Sequence, residues 1–411
     1  MRKLIAQTFA IQGISVALMF VLTLLVSRLG GPEAQGSFAL TKSTTDLLVG
    51  IFSLGLPSAI IFTLNKSRRG HAAIYRRSMQ YGLLLTLVLP VLTGIALMYS
   101  GTETNITAVV IRSTAIGLAA ALMTQFALLR AILLVYTDGP LFSTLAIVQW
   151  LVLAIIALPL LNSGMYVFEI AYLGAGAVCL GVVVLYLRHL GLSVAAGVQS
   201  QPPIDWLILC KQSGHVFVQT ALFALQPFLT NAVLAHHDPS LTTAGLFNIA
   251  SMVITLPNLL IALVAPVLFN RWSRSLDWVG MAEVTRNAWW VGIAGQILAL
   301  AALPFVEPVV VIIYGAPFGA ATEATQIMLL ATLAIITGRI LTPALQGLGL
   351  THVATLSCLC RMIVGVLTAI SALCDETTSP LIAMAIAWCA GEYAALGILL
   401  LRIMRGSRSP K

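Results

Sequence analysis

Apolar runs recur along the whole chain, parted by short polar or basic stretches. A run of about 20 residues, at a rise of about 1.5 Å each, crosses a hydrocarbon core of roughly 30 Å. On that measure the pattern predicts twelve spans, at residues 4–29, 36–64, 79–99, 106–129, 141–161, 166–187, 208–235, 243–270, 287–305, 324–347, 352–374 and 381–403. A membrane β-barrel would show shorter segments of alternating polarity. The expected fold class is therefore all-α and polytopic, with backbone hydrogen bonds closed inside each helix. The opening run from Leu4 to Leu29 is too long for a secretory signal and lacks an Ala-x-Ala pattern, so it is expected to be the first retained span.

Polar positions inside the runs fall on faces. Residues three and four apart lie together on a helix, and Lys42, Asp46 and Ser53 do so on span 2. Span 8 carries Asn248, Ser251, Thr255 and Asn258; span 1 carries Thr8, Gln12, Ser15, Thr23 and Ser27; span 7 carries Lys211, His215, Gln219, Gln226 and Thr230. Spans 2 and 8 echo each other at the 209-residue offset between Gly36 and Gly245: Phe38 matches Phe247, Pro57 matches Pro266, and Ser251 and Thr255 stand where Lys42 and Asp46 stand. The echo predicts a parallel duplication about an axis along the membrane normal, with pseudo-symmetric six-helix bundles over 1–200 and 201–411. A single Ser, Thr, Asn or Gln commonly ties neighbouring helices together. Four stripes in symmetry-related spans point instead to a polar cavity between the halves.

Composition adds orientation. Of 411 residues, 59% are hydrophobic and 9% charged, with a mean hydropathy of +0.99. The net charge is +8, and sixteen of the 22 basic residues fall at the chain ends or in connections after even-numbered spans, among them Lys66, Arg76, Arg130, Arg188 and Arg286. By the positive-inside rule both termini are expected in the cytoplasm. The basic residues thus mark a membrane side and touch anionic lipid headgroups, and no soluble basic face exists for nucleic acid. The six cysteines lie in or beside apolar runs without CxxC spacing, so neither a metal nor a disulfide role is expected. The connections are short, and no acidic catalytic constellation accompanies them, which argues against an enzyme of glycan assembly. The longest ambiguous piece, Val306 to Thr322, is expected to be a hairpin or a short interfacial helix.

Charges inside the spans are mostly cationic: Lys42, Arg112, Lys211, Arg339 and Arg361. Acidic partners are fewer, with Asp46 four residues after Lys42, Glu169 at the start of span 6 and Glu392 in the middle of span 12. Glu392, Arg339 and Arg361 share a similar depth, so one carboxylate faces two guanidiniums; a structural Arg361–Glu392 pair then leaves Arg339 uncompensated. A guanidinium in that position persists where water or an anion meets it. Arginine grips phosphate oxygens in a bidentate manner and lysine supplies a point charge, so the interior suits an anionic cargo.

Gly30 to Leu40 with Gly55 to Ala59, Leu229 to Ala235 leading to Ala244 to Ala250, and Tyr314 to Phe318 before Ala344 to Gly349 carry a resemblance spread over nearly the whole chain. In these stretches the sequence resembles the bacterial Wzx-type polysaccharide flippases of the multidrug/oligosaccharidyl-lipid/polysaccharide (MOP) superfamily. The resemblance implies two six-helix bundles, a central cavity lined by spans 1, 2, 7 and 8, and alternating access. It also implies the cargo, an oligosaccharide on undecaprenyl diphosphate, carried across the bacterial inner membrane. A polysaccharide polymerase and other assembly proteins are the macromolecular partners it allows. On this reading Arg339, Arg112, Lys42, Lys211 and Arg361 form the cationic lumen. Gln12, Ser15, His215, Gln219, Asn248, Ser251, Thr255 and Asn258 line the polar cavity, and Asp46 is the carboxylate for proton or sodium coupling. No cofactor is expected. The lipid II flippase branch typically has fourteen spans and arginines in span 1, which this chain lacks. The alternative is an ion-coupled drug or metabolite antiporter of the same fold.

Overall fold

The computed structural model describes residues 2–67, 71–100, 105–137, 140–161, 166–192, 206–252, 278–375 and 377–406. Every regular element among them is helical: α1 (Arg2–Phe52), α2 (Leu56–Ser67), α3 (His71–Ser100), α4 (Ile106–Thr137), α5 (Pro140–Leu160), α6 (Val167–His189), α7 (Trp206–His237), α8 (242–252), α9 (Trp278–Ala302), α10 (Val306–Tyr314), α11 (Thr322–Leu329), α12 (Thr332–Gly347), α13 (Thr351–Leu373) and α14 (Pro380–Gly406). Nine helices among the described residues are long and apolar enough to cross a membrane, or ten if the bent pair formed by Ala316–Leu329 and Thr332–Gly347 is one span. α1 holds two of the expected spans and α8 is the start of another, so the twelve-span reading fits. Positions 253–270 of span 8, with Thr255, Asn258 and Pro266, lie outside the described residues.

Spans 1 and 2 are not parted by a loop. α1 runs through 51 residues with a corner at Gly31, whose φ of 72° and ψ of −170° are non-helical. Pro32 causes it: the ring offers no N–H and pushes the preceding residue out of the helical region, where glycine alone turns freely. At about 1.5 Å per residue an unbent α1 would exceed twice the hydrocarbon thickness.

Two expected spans are broken. Span 2, read as continuous over 36–64, stops at Phe52 and resumes at Leu56, with Leu54 and Gly55 at positive φ. Carbonyls freed by such a break need donors in a membrane. The Tyr81 hydroxyl donates to Phe52 O at 2.7 Å and the Ser213 hydroxyl to Leu54 O at 2.7 Å. Span 10, read as continuous over 324–347, bends by 53° between α11 and α12. There Gln296 accepts from Leu333 N at 2.9 Å and donates to Leu329 O, while Tyr393 and Cys389 donate to Leu330 O and Ile327 O. The stretch from Val306 holds the short helix α10, which follows α9 through a 3-10 turn, Leu303–Phe305, in an apolar stretch reaching Tyr314. A 3-10 turn, Ala316–Ala321, follows and buries Phe318.

The chain forms two compact units, Met1–Gly30 with Leu40–Phe228, and Gly31–Ala39 with Leu229–Lys411. α4 is the hub of the first unit, packed on α2, α3, α5 and α6. Its small-residue stretch, Ala119 to Ala121, is fully buried, and a methyl on Gly117 would come within 2.4 Å of Pro90 N on α3. Arg130 is not a loop cation as expected. It lies within α4, with its guanidinium 3.6 Å over the Phe142 ring and its Nε donating to Phe142 O at 2.9 Å.

In the second unit α12 packs on α9 and α14, and α13 on α14. The same unit joins the two glycines of the repeat: a methyl on Gly36 would lie 1.9 Å from Leu241 O, and one on Gly245 would lie 1.9 Å from Pro32 O. Each glycine therefore abuts the residue four positions before the other. Such reciprocity is what two-fold-related copies produce.

Candidate functional site

Among the described residues, each unit contains one buried guanidinium–carboxylate cluster. In the first, Glu169 lies in the first turn of α6, where unpaired backbone N–H groups favour a negative charge. Two donors converge on its Oε1, Arg112 Nε of α4 at 3.2 Å and the Thr41 hydroxyl of α1 at 3.2 Å. Glu169 is 2% exposed, and its Oε2 is buried without a hydrogen-bond donor among the described residues. Arg112, expected as a cation open to cargo, is thus held by a carboxylate. Beside Thr41, Lys42 Nζ and Asp46 Oδ2 form an i,i+4 ion pair whose side chains stay partly exposed. Tyr172, one turn after Glu169 and buried, lies within electrostatic range of Asp46.

In the second unit Arg361 Nη1 of α13 contacts Glu392 Oε1 of α14 at 3.1 Å. Both side chains are under a tenth exposed. The neighbouring Gly391 permits the approach, since a methyl there would lie 2.8 Å from Arg361 O. Arg339 of α12 is half-buried and feels both the attraction of Glu392 and the repulsion of Arg361. One carboxylate thus lies within electrostatic reach of two guanidiniums, as the similar depth of the three residues predicts.

The polar residues divide by accessibility. Gln12, Gln219, Asn248 and Ser251 are half-buried, His215 is exposed and Ser15 is buried. The Ser251 hydroxyl donates to Asn248 O at 2.8 Å. Thr23 and Ser27 donate to carbonyls of their own helix, Met19 O and Thr23 O, the back-bonding habit of helical hydroxyls. Lys211 falls on α7, of which only its helical backbone is described. Sequence reasoning missed Asn231, which donates to Ala39 O at 3.2 Å, and the Arg112–Glu169 pairing. No group of three or more metal-binding side chains occurs among the described residues.

No protein-family model matches the chain, and no curated protein is similar to it in sequence. Solved structures are similar in fold. The inward-facing conformation of a multidrug resistance MATE family transporter of the MOP superfamily matches with a TM-score of 0.73 at 14% identity, over 98% of this chain and 96% of that one. The lipid II flippase MurJ, in an inward closed conformation, matches with a TM-score of 0.77 at 12% identity, over 99% and 90%. A mutant of the Vibrio cholerae MATE transporter VcmN matches with a TM-score of 0.67 at 14% identity, over 100% and 98%. The chain shares the fold of these transporters, with nine or ten helices among the described residues long and apolar enough to cross a membrane.

Proposed function

We propose that this protein is a flippase that moves an oligosaccharide linked to undecaprenyl diphosphate across the bacterial inner membrane. The observation that carries the reading is the charge of the Arg339, Arg361 and Glu392 cluster, two cations against one anion among apolar helices. Guanidiniums in a low-dielectric setting favour an anionic ligand, and their fork matches phosphate oxygens. An exporter of cationic drugs calls for the opposite sign. Arg339, with Arg112, Lys42 and Lys211, hands on the diphosphate. The half-buried Gln12, Gln219, Asn248 and Ser251, with Ser15, His215, Thr255 and Asn258, hydrogen-bond sugar hydroxyls, and the lipid tail stays in the bilayer. Six spans move against six, over 1–200 and 201–411, with both termini cytoplasmic. The fold likeness to a lipid II flippase supports a lipid-linked cargo.

The likeness to MATE transporters favours a second reading, an ion-coupled antiporter with Asp46 as the coupling carboxylate. Deleting the protein from cells that make the glycan separates the two. Accumulation of a diphosphate-linked oligosaccharide in extracted lipids, reversed by wild type and not by an Arg339→Ala variant of normal abundance, supports the flippase. Unchanged lipid-linked sugars with a lost drug-resistance phenotype support the antiporter.

A further inference from the structure

Resting on the reading of the cargo as a diphosphate, a second inference concerns who holds Arg112. Arg112 Nε and the Thr41 hydroxyl both address Glu169 Oε1. Glu169 Oε2 receives no donor among the described residues and is shut from solvent. The carboxylate is therefore served on one oxygen only. Among the described residues, these groups stand near it. From α4 comes Arg112; from α1 come Thr41 and, beside it, the Lys42–Asp46 pair. α6 itself supplies Tyr172, and α5 carries no charged residue.

We propose that Glu169 is a proton switch that decides whether Arg112 is held by the protein or released to an anion. With Glu169 ionised, the Arg112–Glu169 pair is neutral and offers a phosphate no net attraction. One proton from water adds to Oε2, no other bond changes, and the site gains one positive charge. Arg112 then exchanges its carboxylate partner for a phosphate oxygen, and Thr41 continues to bond the neutral acid. By linkage, a bound anion promotes uptake of that proton as much as the proton promotes binding of the anion. Here the proton acts at the buried Glu169 beside Arg112, and not at the exposed Asp46 beside Lys42.

The test uses the purified full chain in lipid nanodiscs with inorganic pyrophosphate as probe, its affinity measured from neutral to acid pH for wild type and Glu169→Gln. Comparing the two cancels the probe's own titration. Relative to the variant, wild type should gain about tenfold in affinity per pH unit of acidification, the slope of one linked proton. Glu169→Gln, a standing mimic of the protonated acid, should bind at neutral pH as tightly as wild type binds in acid. Parallel curves would overturn the switch while leaving an anion-binding interior in place. Absence of pyrophosphate binding by both proteins at every pH would overturn the switch and the diphosphate reading together. Should Glu169→Gln not fold, the protons taken up per pyrophosphate bound are compared in wild type and Arg112→Gln. Wild type should take up about one more, and equal uptake would overturn the switch.

Discussion

Removing Glu392 should cost more than removing the arginine it contacts. At 3.1 Å and an effective dielectric of about 20, the pair attracts by about 5 kcal/mol, most of it offset by desolvation of two buried charges. Truncating one member leaves the other buried and alone, at about 3–5 kcal/mol. Glu392→Gln should fall at the upper end, because Arg339 and Arg361 then face each other with no anion between them. Arg361→Met should fall lower, since Arg339 inherits the carboxylate. Joining Arg361→Met with Glu392→Gln should cost less than the sum of the two, by a coupling energy of about 3 kcal/mol, since the repulsion between guanidiniums is gone while Arg339 still lacks its anion. Equilibrium unfolding in mixed detergent micelles reads all four corners of the cycle. Additivity within about 0.5 kcal/mol, or a costlier Arg361→Met, would refute one carboxylate serving two guanidiniums.

Three further outcomes follow from the geometry. Gly36→Val and Gly245→Val should each destabilise by more than the about 1–3 kcal/mol of ordinary overpacking, since the methyl would meet backbone on both sides; unchanged thermal stability of both would dissolve the reciprocal contact. Ser213→Ala should cost about 1–3 kcal/mol in thermal or detergent unfolding, by leaving Leu54 O without its donor at the break in span 2. In the α7–α8 turn, the Ser240 hydroxyl foremost, with Thr243 behind it, holds the Asp238 carboxyl down at about 2 against burial. An Asp pKa lowered below its unfolded value of about 3.9 stabilises above that value. The melting-temperature gap between wild type and Asp238→Asn should therefore be full at neutral pH and close as pH falls towards about 2; a gap that widened in acid would contradict the sign.

What the sequence made legible was whatever depends on length and period. Twelve apolar runs and the Gly36/Gly245 echo needed only residue spacing. The Gly31–Pro32 corner and the break at Leu54–Gly55 each carry a glycine with a proline nearby, though the second was read as part of an unbroken span. The bend in span 10 carries neither. Leu330 and Ala331 would continue a helix on propensity, and the break is sustained by Gln296, Cys389 and Tyr393 from other helices. The charged clusters divide likewise. Arg361 and Glu392 lie on consecutive helices and could be matched by depth. Arg112 and Glu169 lie on α4 and α6 and meet through α4 packing against α6, which no local pattern encodes.

The most direct measurement is translocation by the purified chain in proteoliposomes loaded with an undecaprenyl diphosphate-linked oligosaccharide in one leaflet. A membrane-impermeant glycosidase added outside reads how much sugar has crossed. Digestion of the inner-leaflet pool by wild-type vesicles, and its absence with Arg339→Ala, is the result this account predicts. Sugar that stays protected in wild-type vesicles, while the same vesicles exchange a cationic drug for protons or sodium, would contradict it.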